Sequence, residues 1–239
     1  MKKYLFFIVI ISFVFIRCNE DSNPFENEND SSLFVSGKVN NFSGNFNKVY
    51  TSCFPNSDSM LTVEAEIKND GSFNLNIPVP SENHLSSYTP VNRISVINGD
   101  SIIFIDSIQI ENINLKYLRY DLFAQSSTPI TYSLDISLAK ITNPGELAKV
   151  DDYYISYYYF DSNTKVKGYY KLKIVTADSS REFITEFNVK TKIGWNKLLT
   201  RFKSESSNKS VYEVIDIQTE QGNWIIGATG SFSNSVYKF

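Results

Sequence analysis

The 239-residue sequence predicts an all-β protein built from antiparallel β-sandwiches, and three observations carry that expectation. Beyond residue 32, apolar residues recur at every second position, the period of a strand with one buried face. Turn-forming clusters such as Asn69-Asp70-Gly71, Asn98-Gly99-Asp100 and Asp178-Ser179-Ser180 divide these runs at short intervals. No stretch of a dozen residues carries an apolar stripe at helical spacing. Many short strands punctuated in this way make sandwiches.

The clearest unit spans residues 61–79. Leu61, Val63, Ala65 and Ile67 alternate with Thr62, Glu64, Glu66 and Lys68; Phe73, Leu75, Ile77 and Val79 alternate with Asn74, Asn76 and Pro78. Setting both apolar rows on one face requires Ile67 opposite Phe73 and Lys68 opposite Ser72. That leaves a three-residue loop ending in Gly71, where a type I turn closes through a residue in the left-handed region. A two-residue Asp-Gly turn would pair Ile67 with Asn74 and send the two rows to opposite faces. Gly71→Val is therefore expected to disrupt the turn.

The same grammar continues down the chain. Residues 93–97 and 101–110 flank Asn98-Gly99-Asp100 as a strand–turn–strand unit, and Tyr132, Leu134, Ile136 and Leu138 alternate with polar neighbours. Tyr170, Leu172 and Ile174 lead through Asp178-Ser179-Ser180 to a returning run at 183–189. Residues 211–218 and 224–228 flank the turn signal Glu220-Gln221-Gly222-Asn223, and residues 144–149 have room for one short helical turn. The softest break between strand runs is Gln125-Ser126-Ser127-Thr128-Pro129. Cutting there gives two tandem bodies, 33–125 and 126–239, each near the size of an immunoglobulin-like sandwich of about 100 residues. One continuous sandwich is the alternative, and no internal repeat marks the halves as duplicates.

The first 17 residues form a separate unit. Lys2 and Lys3 precede an apolar run from Leu5 to Ile16, and Cys18 follows. A cationic start and an apolar stretch too short for a bilayer core of about 30 Å describe an export signal. Residues 18–32 then carry five carboxylates and no Lys or Arg, a composition expected of an acidic flexible tether. Phe15-Ile16-Arg17-Cys18 resembles the lipobox of bacterial lipoproteins, with Phe15 and Arg17 standing where that family carries Leu and a small residue. The resemblance implies lipidation at Cys18, the other readings of the run being a simple secretory signal or an uncleaved N-terminal anchor, and the acidic segment after it resembles the surface-export signal of Bacteroidota outer-membrane lipoproteins.

A wider resemblance rests on short motifs. Ser36-Gly37-Lys38-Val39, then Asn69-Asp70-Gly71-Ser72-Phe73 and Ile77-Pro78-Val79-Pro80, is similar to the first domain of uncharacterised Bacteroidota outer-membrane lipoproteins. There a carboxypeptidase-regulatory or transthyretin-like sandwich opens with a G-x-V strand and carries a D-G-S-F hairpin. Ile193-Gly194-Trp195-Asn196-Lys197 resembles the G-W-N element of their second β domains. The resemblance implies an outer-membrane, lipid-anchored location, on the cell surface or the periplasmic face, and it carries no activity.

Composition narrows the partners. Removing residues 1–17 leaves 20 Lys and Arg against 26 acids, which disfavours nucleic acid and anionic lipid surfaces. With Cys18 lipidated, Cys53 has no disulfide partner in the chain, and its apolar neighbours point to a buried structural thiol. His84 is the sole histidine and lies in a polar loop, so neither a zinc site nor a Ser-His-Asp triad is expected. The Ser-x-x-Lys matches at Ser162/Lys165, Ser137/Lys140 and Ser206/Lys209 fall on or beside strands, away from the helix starts where that motif works. Asp151, Asp152, Glu64 and Glu66 read as solvent-facing charges, and Asp161-Ser162-Asn163 lacks the spacing of a calcium loop. No cofactor, metal or catalytic residue is expected.

The remaining feature is the run Tyr153-Tyr154-Ile155-Ser156-Tyr157-Tyr158-Tyr159-Phe160. On a strand, Tyr154, Tyr158 and Phe160 share one face, opposite Tyr153, Ile155, Tyr157 and Tyr159. An exposed row would be a platform on which sugars or a protein could stack, and Trp195 and Trp224, each after a turn, would add to it; the other reading of all five is tyrosine and tryptophan packed on half-buried sheet faces. The sequence thus predicts a non-enzymatic binding or scaffolding module of the cell envelope, holding a glycan or envelope protein through Tyr154, Tyr158, Phe160, Trp195 and Trp224. The alternatives are an envelope assembly or structural component without a small ligand and, third, a carbohydrate-active enzyme.

Overall fold

Alternation in the sequence becomes strand nearly everywhere. The computed structural model describes residues 32–54, 62–97, 100–126, 133–143, 146–217 and 222–227. Cys18, the signal segment and nearly all of the tether lie outside the described residues. Among those described, the chain forms β1 (Leu33–Lys38), β2 (Phe46–Phe54), β3 (Glu64–Glu66), β4 (Ser72–Ile77), β5 (Ser86–Ser87), β6 (Arg93–Ile97), β7 (Asp100–Asp106), β8 (Gln109–Ile110) and β9 (Lys116–Ser126). It continues with β10 (Ser133–Lys140), β11 (Tyr153–Phe160), β12 (Thr164–Val175), β13 (Ser180–Thr191), β14 (Gly194–Ser206), β15 (Lys209–Asp216) and β16 (Asn223–Ile226). No helix among the described residues is long and apolar enough to cross a membrane.

The turn at 68–72 takes the predicted form. Gly71 N–H donates to Lys68 O at 2.8 Å, Lys68 N–H donates to Ser72 O at 2.9 Å, and Gly71 sits at φ +83°. Asp70 Oδ1 accepts from Ser72 N–H at 3.0 Å and from Ser72 Oγ at 2.7 Å, and these bonds hold its carboxyl below the usual range. Beyond the turn the strands part. β3 pairs with β2, while β4 pairs with β1 in register from Leu33–Ile77 to Lys38–Ser72. The turn is thus a corner between two sheets, and Ile67 and Phe73 reach one core from both.

The second sheet has fourteen strands, running β3-β2-β9-β10-β11-β14-β15-β13-β12-β7-β6, with β16 on β10, β5 on β9 and β8 on β12. Pairing is antiparallel except between β13 and β15. β13 and β14 leave residues 192–193 as the arms of a V, and β15, returning from β14, fills it and so runs parallel to β13. A second fork opens between β9 and β11, which pair only from Tyr117–Phe160 to Tyr120–Tyr157. β10 enters that fork, meeting β9 at Ser133–Asp135 and β11 at Ala139 and Lys140.

The sheet curls. Leu115, ahead of β9, shares one buried cluster with Phe160, Leu198, Val214 and Val189, and Tyr117, Val166 and Ile110 pack on it. Residues from nearly every strand between β9 and β12 can meet only if the sheet wraps around them. A second inner cluster, with Tyr154, Leu172, Phe183, Phe202 and Tyr212, fills the other end. On the opposite face, Val35, Phe73, Leu75 and Ile77 of the small sheet pack on Val49, Leu118, Tyr120, Ile155 and Tyr157. This is an all-β sandwich in which a two-stranded sheet covers the back of a curled one.

Three expectations change. Strands on either side of residue 125 pair with one another, β7 with β12 and β9 with both β10 and β11, so the boundary between 33–125 and 126–239 is no break in the sheet. The run at 223–226 pairs with β10 instead of returning on β15. It is clasped to the start of the fold: Asn40 N–H donates to Trp224 O at 2.8 Å, and Asn41 exchanges two bonds of 3.0 Å with Ile226. A short 3₁₀ turn forms at Glu82–His84; of residues 144–149, Pro144 and Gly145 lie outside the described residues and 146–149 are irregular.

Candidate functional site

The structure covers the aromatic row predicted to be a platform. β11 lies inside the sheet with β9 and β10 on one side and β14 on the other, and cores form on both faces. Tyr154 and Phe160 are 4% and 5% exposed, so the solvent-facing row is corrected to a buried one. Trp224 is 6% exposed, edge-on to Phe73 at 5.0 Å, its Nε1 donating to Ser36 O at 3.2 Å. An added Cβ at Gly37 would stand 2.0 Å from that indole, so the G-x-V strand has glycine where Trp224 lies across it. Trp195 is half-buried against Tyr120 and Tyr159 on the far side of the sheet from Tyr154. The five residues form no common surface.

Two of them nevertheless meet at a site of another kind. Tyr158 and Phe160, stacked at 5.8 Å with rings 5° apart, line a partly open cavity of about 70 Å³ inside the curled sheet. Leu115, Val166, Phe187, Val189 and Leu198 complete a wall that is almost wholly carbon. The outer wall is Tyr88, carried by the segment between β4 and β6. That segment is pinned twice: Ser86 and Ser87 pair with Tyr117 and Lys116, and Tyr88 Oη donates to Asp106 Oδ2. Asp106 also accepts from Ile108 N–H at 3.0 Å, and its own N–H donates to Asn92 Oδ1 at 2.9 Å.

A polar layer separates this cavity from the inner cluster at the other end. Arg119 Nε donates to Asp121 Oδ1 at 2.8 Å, and the Arg119 side chain is 12% exposed. Burial opposes its charge, but Tyr158, Asp121 and Tyr154 around it more than offset that opposition. Burial likewise pushes the phenols of Tyr117 and Tyr154 up to about 12, Arg119 opposing in both cases. Tyr88 is raised further, by burial and then by its bond to Asp106. Tyr88, Tyr117 and Tyr158 therefore stay neutral at physiological pH, with the Tyr88 proton committed to Asp106.

The other candidate chemistry resolves into structural roles. His84 Nδ1 and Ser81 Oγ lie 2.8 Å apart within a single surface turn. Asp152, expected in solvent, is 1% exposed: its Oδ1 accepts from Thr142 N–H at 2.9 Å and from Thr142 Oγ1 at 2.6 Å, and its Oδ2 accepts from Lys149 N–H at 2.8 Å. It ties together the connection between β10 and β11. Cys53 is buried in the core beneath the small sheet, as its apolar neighbours indicate. Among the described residues, no group of three or more His, Cys, Asp or Glu is placed to hold a metal.

Tyr88, Asp106, Tyr117 and Arg119 were not singled out by their sequence context. Tyr117, Arg119 and Asp121 alternate with Leu118, Tyr120 and Leu122, the pattern of a strand whose polar face meets water. No family model, curated protein or solved structure matches the chain.

Proposed function

We propose that this chain is an exported, lipid-anchored envelope protein that works by binding, and that its curled sheet holds a small apolar group of its ligand. The observation that carries the reading is the cavity between Tyr158, Phe160, Val189 and Leu198, a partly open recess lined almost wholly by carbon. Apolar recesses accept hydrocarbon. At about 70 Å³ it is roughly half the 150 Å³ of an apolar cavity that holds benzene, which favours a branched alkyl end over an aromatic ring. For the anchor, the support is the cationic and apolar start, Cys18 and the acidic tether.

Thermal unfolding of the full chain in a series of short branched and linear alkanols tests the pocket. A saturable rise in melting temperature, lost in Val166→Phe with its circular dichroism intact, is expected; a flat series in wild type would remove the reading. Labelled-lipid incorporation tests the anchor, with loss of label expected in Cys18→Ala.

A further inference from the structure

The long sheet ends in two unlike edges. One is β3, only three residues long, with Glu64 and Glu66 on either side of Ala65. Shortness and charge are the devices that keep a strand edge from pairing with another chain. The other is β6, whose outer side pairs with nothing among the described residues. It carries neither Pro, Lys, Asp nor Glu, and Ile94 and Val96 stand 71% and 68% exposed. Ile103, opposite Ile94 on β7, extends the same apolar face inward.

The register fixes which backbone groups are free to pair. Ile97 and Asp100 close the β6–β7 hairpin across two residues, so Arg93, Ser95 and Ile97 turn their N–H and C=O groups toward β7. Ile94 and Val96 turn theirs outward. A partner strand must therefore present two outward residues at that same spacing. β6 of a second copy does so.

We propose that β6 pairs antiparallel with β6 of a second copy about a two-fold axis at Ser95, joining two curled sheets edge to edge. Ile94 of each copy then meets Val96 of the other as a hydrogen-bonded pair, and Ser95 meets Ser95 as the closer, non-bonded pair. Charge agrees with this register. Arg93 comes beside Ile97 of the second copy, whose hairpin neighbour is Asp100, so opposite charges approach on each side of the axis and like charges do not. The contact is small, so the dimer is expected to form and dissociate with concentration. It depends neither on the cavity nor on the anchor.

Cysteine cross-linking of the full chain in detergent tests it. Paired Ser95 residues would have Cα atoms about 4.5 Å apart, within disulfide reach. Ser95→Cys should give a covalent dimer under mild oxidation, and adding Val96→Lys should lower its yield about tenfold. Ser207→Cys, in an exposed turn, is the control for random collision. Sedimentation should show a mass that rises with concentration in wild type and stays constant in Val96→Lys. The proposal is overturned if Ser95→Cys cross-links no better than the control, or if Val96→Lys leaves the cross-link unchanged. Concentration-independent protection of the Ile94 and Val96 amides from hydrogen exchange would also overturn it, because a segment of the same chain would then cover the edge.

Discussion

Strands β11 and β6 carry strand-forming, largely apolar sequences into opposite surroundings. β11, rich in tyrosine, is the most conspicuous surface candidate in the sequence, yet it runs through the middle of the sheet with both faces packed. β6 reads as half of an ordinary hairpin, yet it is the open edge, with four of its five residues exposed. Alternation says which residues share a face; how many faces are covered depends on the strand's place in the sheet order. β11 is buried because β14, β9 and β10 flank it and because the sheet curls over its inner side.

The strongest way to break this contrast is to cut into β11. Tyr157 is 3% exposed and packs in the core under the small sheet. Tyr157→Ala should cost about 3–5 kcal/mol in urea unfolding, the range for removing a buried aromatic side chain. A loss below about 1 kcal/mol would mean that β11 is not the packed centre of the fold.

Alkali should act on the same region. Tyr117 and Tyr154 ionise near 12 in the folded chain, against about 10 in the unfolded one. Below pH 10 both states hold these protons and the stabilisation is fully present. As pH rises from about 10 to 12 the unfolded chain releases them first, so stability falls across that window, by about 2–3 kcal/mol for each phenol. Phenolate absorbance and circular dichroism should therefore change together above pH 10. Ionisation of the buried phenols well before any loss of strand signal would show that the polar layer is open to water.

A smaller effect is expected where the two ends of the described chain are clasped. Gly37→Ala sets a methyl against the Trp224 indole, and overpacking of this kind costs about 1–3 kcal/mol. If the indole is the cause, Trp224→Ala should absorb much of the Gly37→Ala penalty in the double variant. Additive losses would place the strain elsewhere.

These contrasts show what the sequence could and could not reveal. The turn at 68–72 was legible because it is local: two apolar rows, one glycine and the requirement of a common face leave one register. The split of β3 and β4 into different sheets was not, because it depends on β2 and β1 competing for them, and β1 lies about forty residues before β4. The same limit hid the site. Alternation puts Tyr158 and Phe160 on one face of β11, and that face lines a cavity inside a curl that brings β9 and β13 to them. Arg119 and Asp121 alternate like solvent-facing charges, yet the curl buries Arg119 and leaves only part of Asp121 in water. The clasp between Asn41 and Ile226 joins residues 185 apart, beyond any local pattern.

The smallest expected effect sharpens the comparison most directly. Ile94→Thr keeps a β-branched side chain on a strand and removes apolar surface that is already in water, so little burial is lost. Dilute, monomeric protein should change by no more than about 0.5 kcal/mol, against several for Tyr157→Ala. The two substitutions together thus test position against residue type. If Ile94→Thr cost more than about 1 kcal/mol at high dilution, β6 would already be covered within one chain. The contrast between a buried centre and an open edge would then fail at the edge, while the centre would still stand on Tyr157.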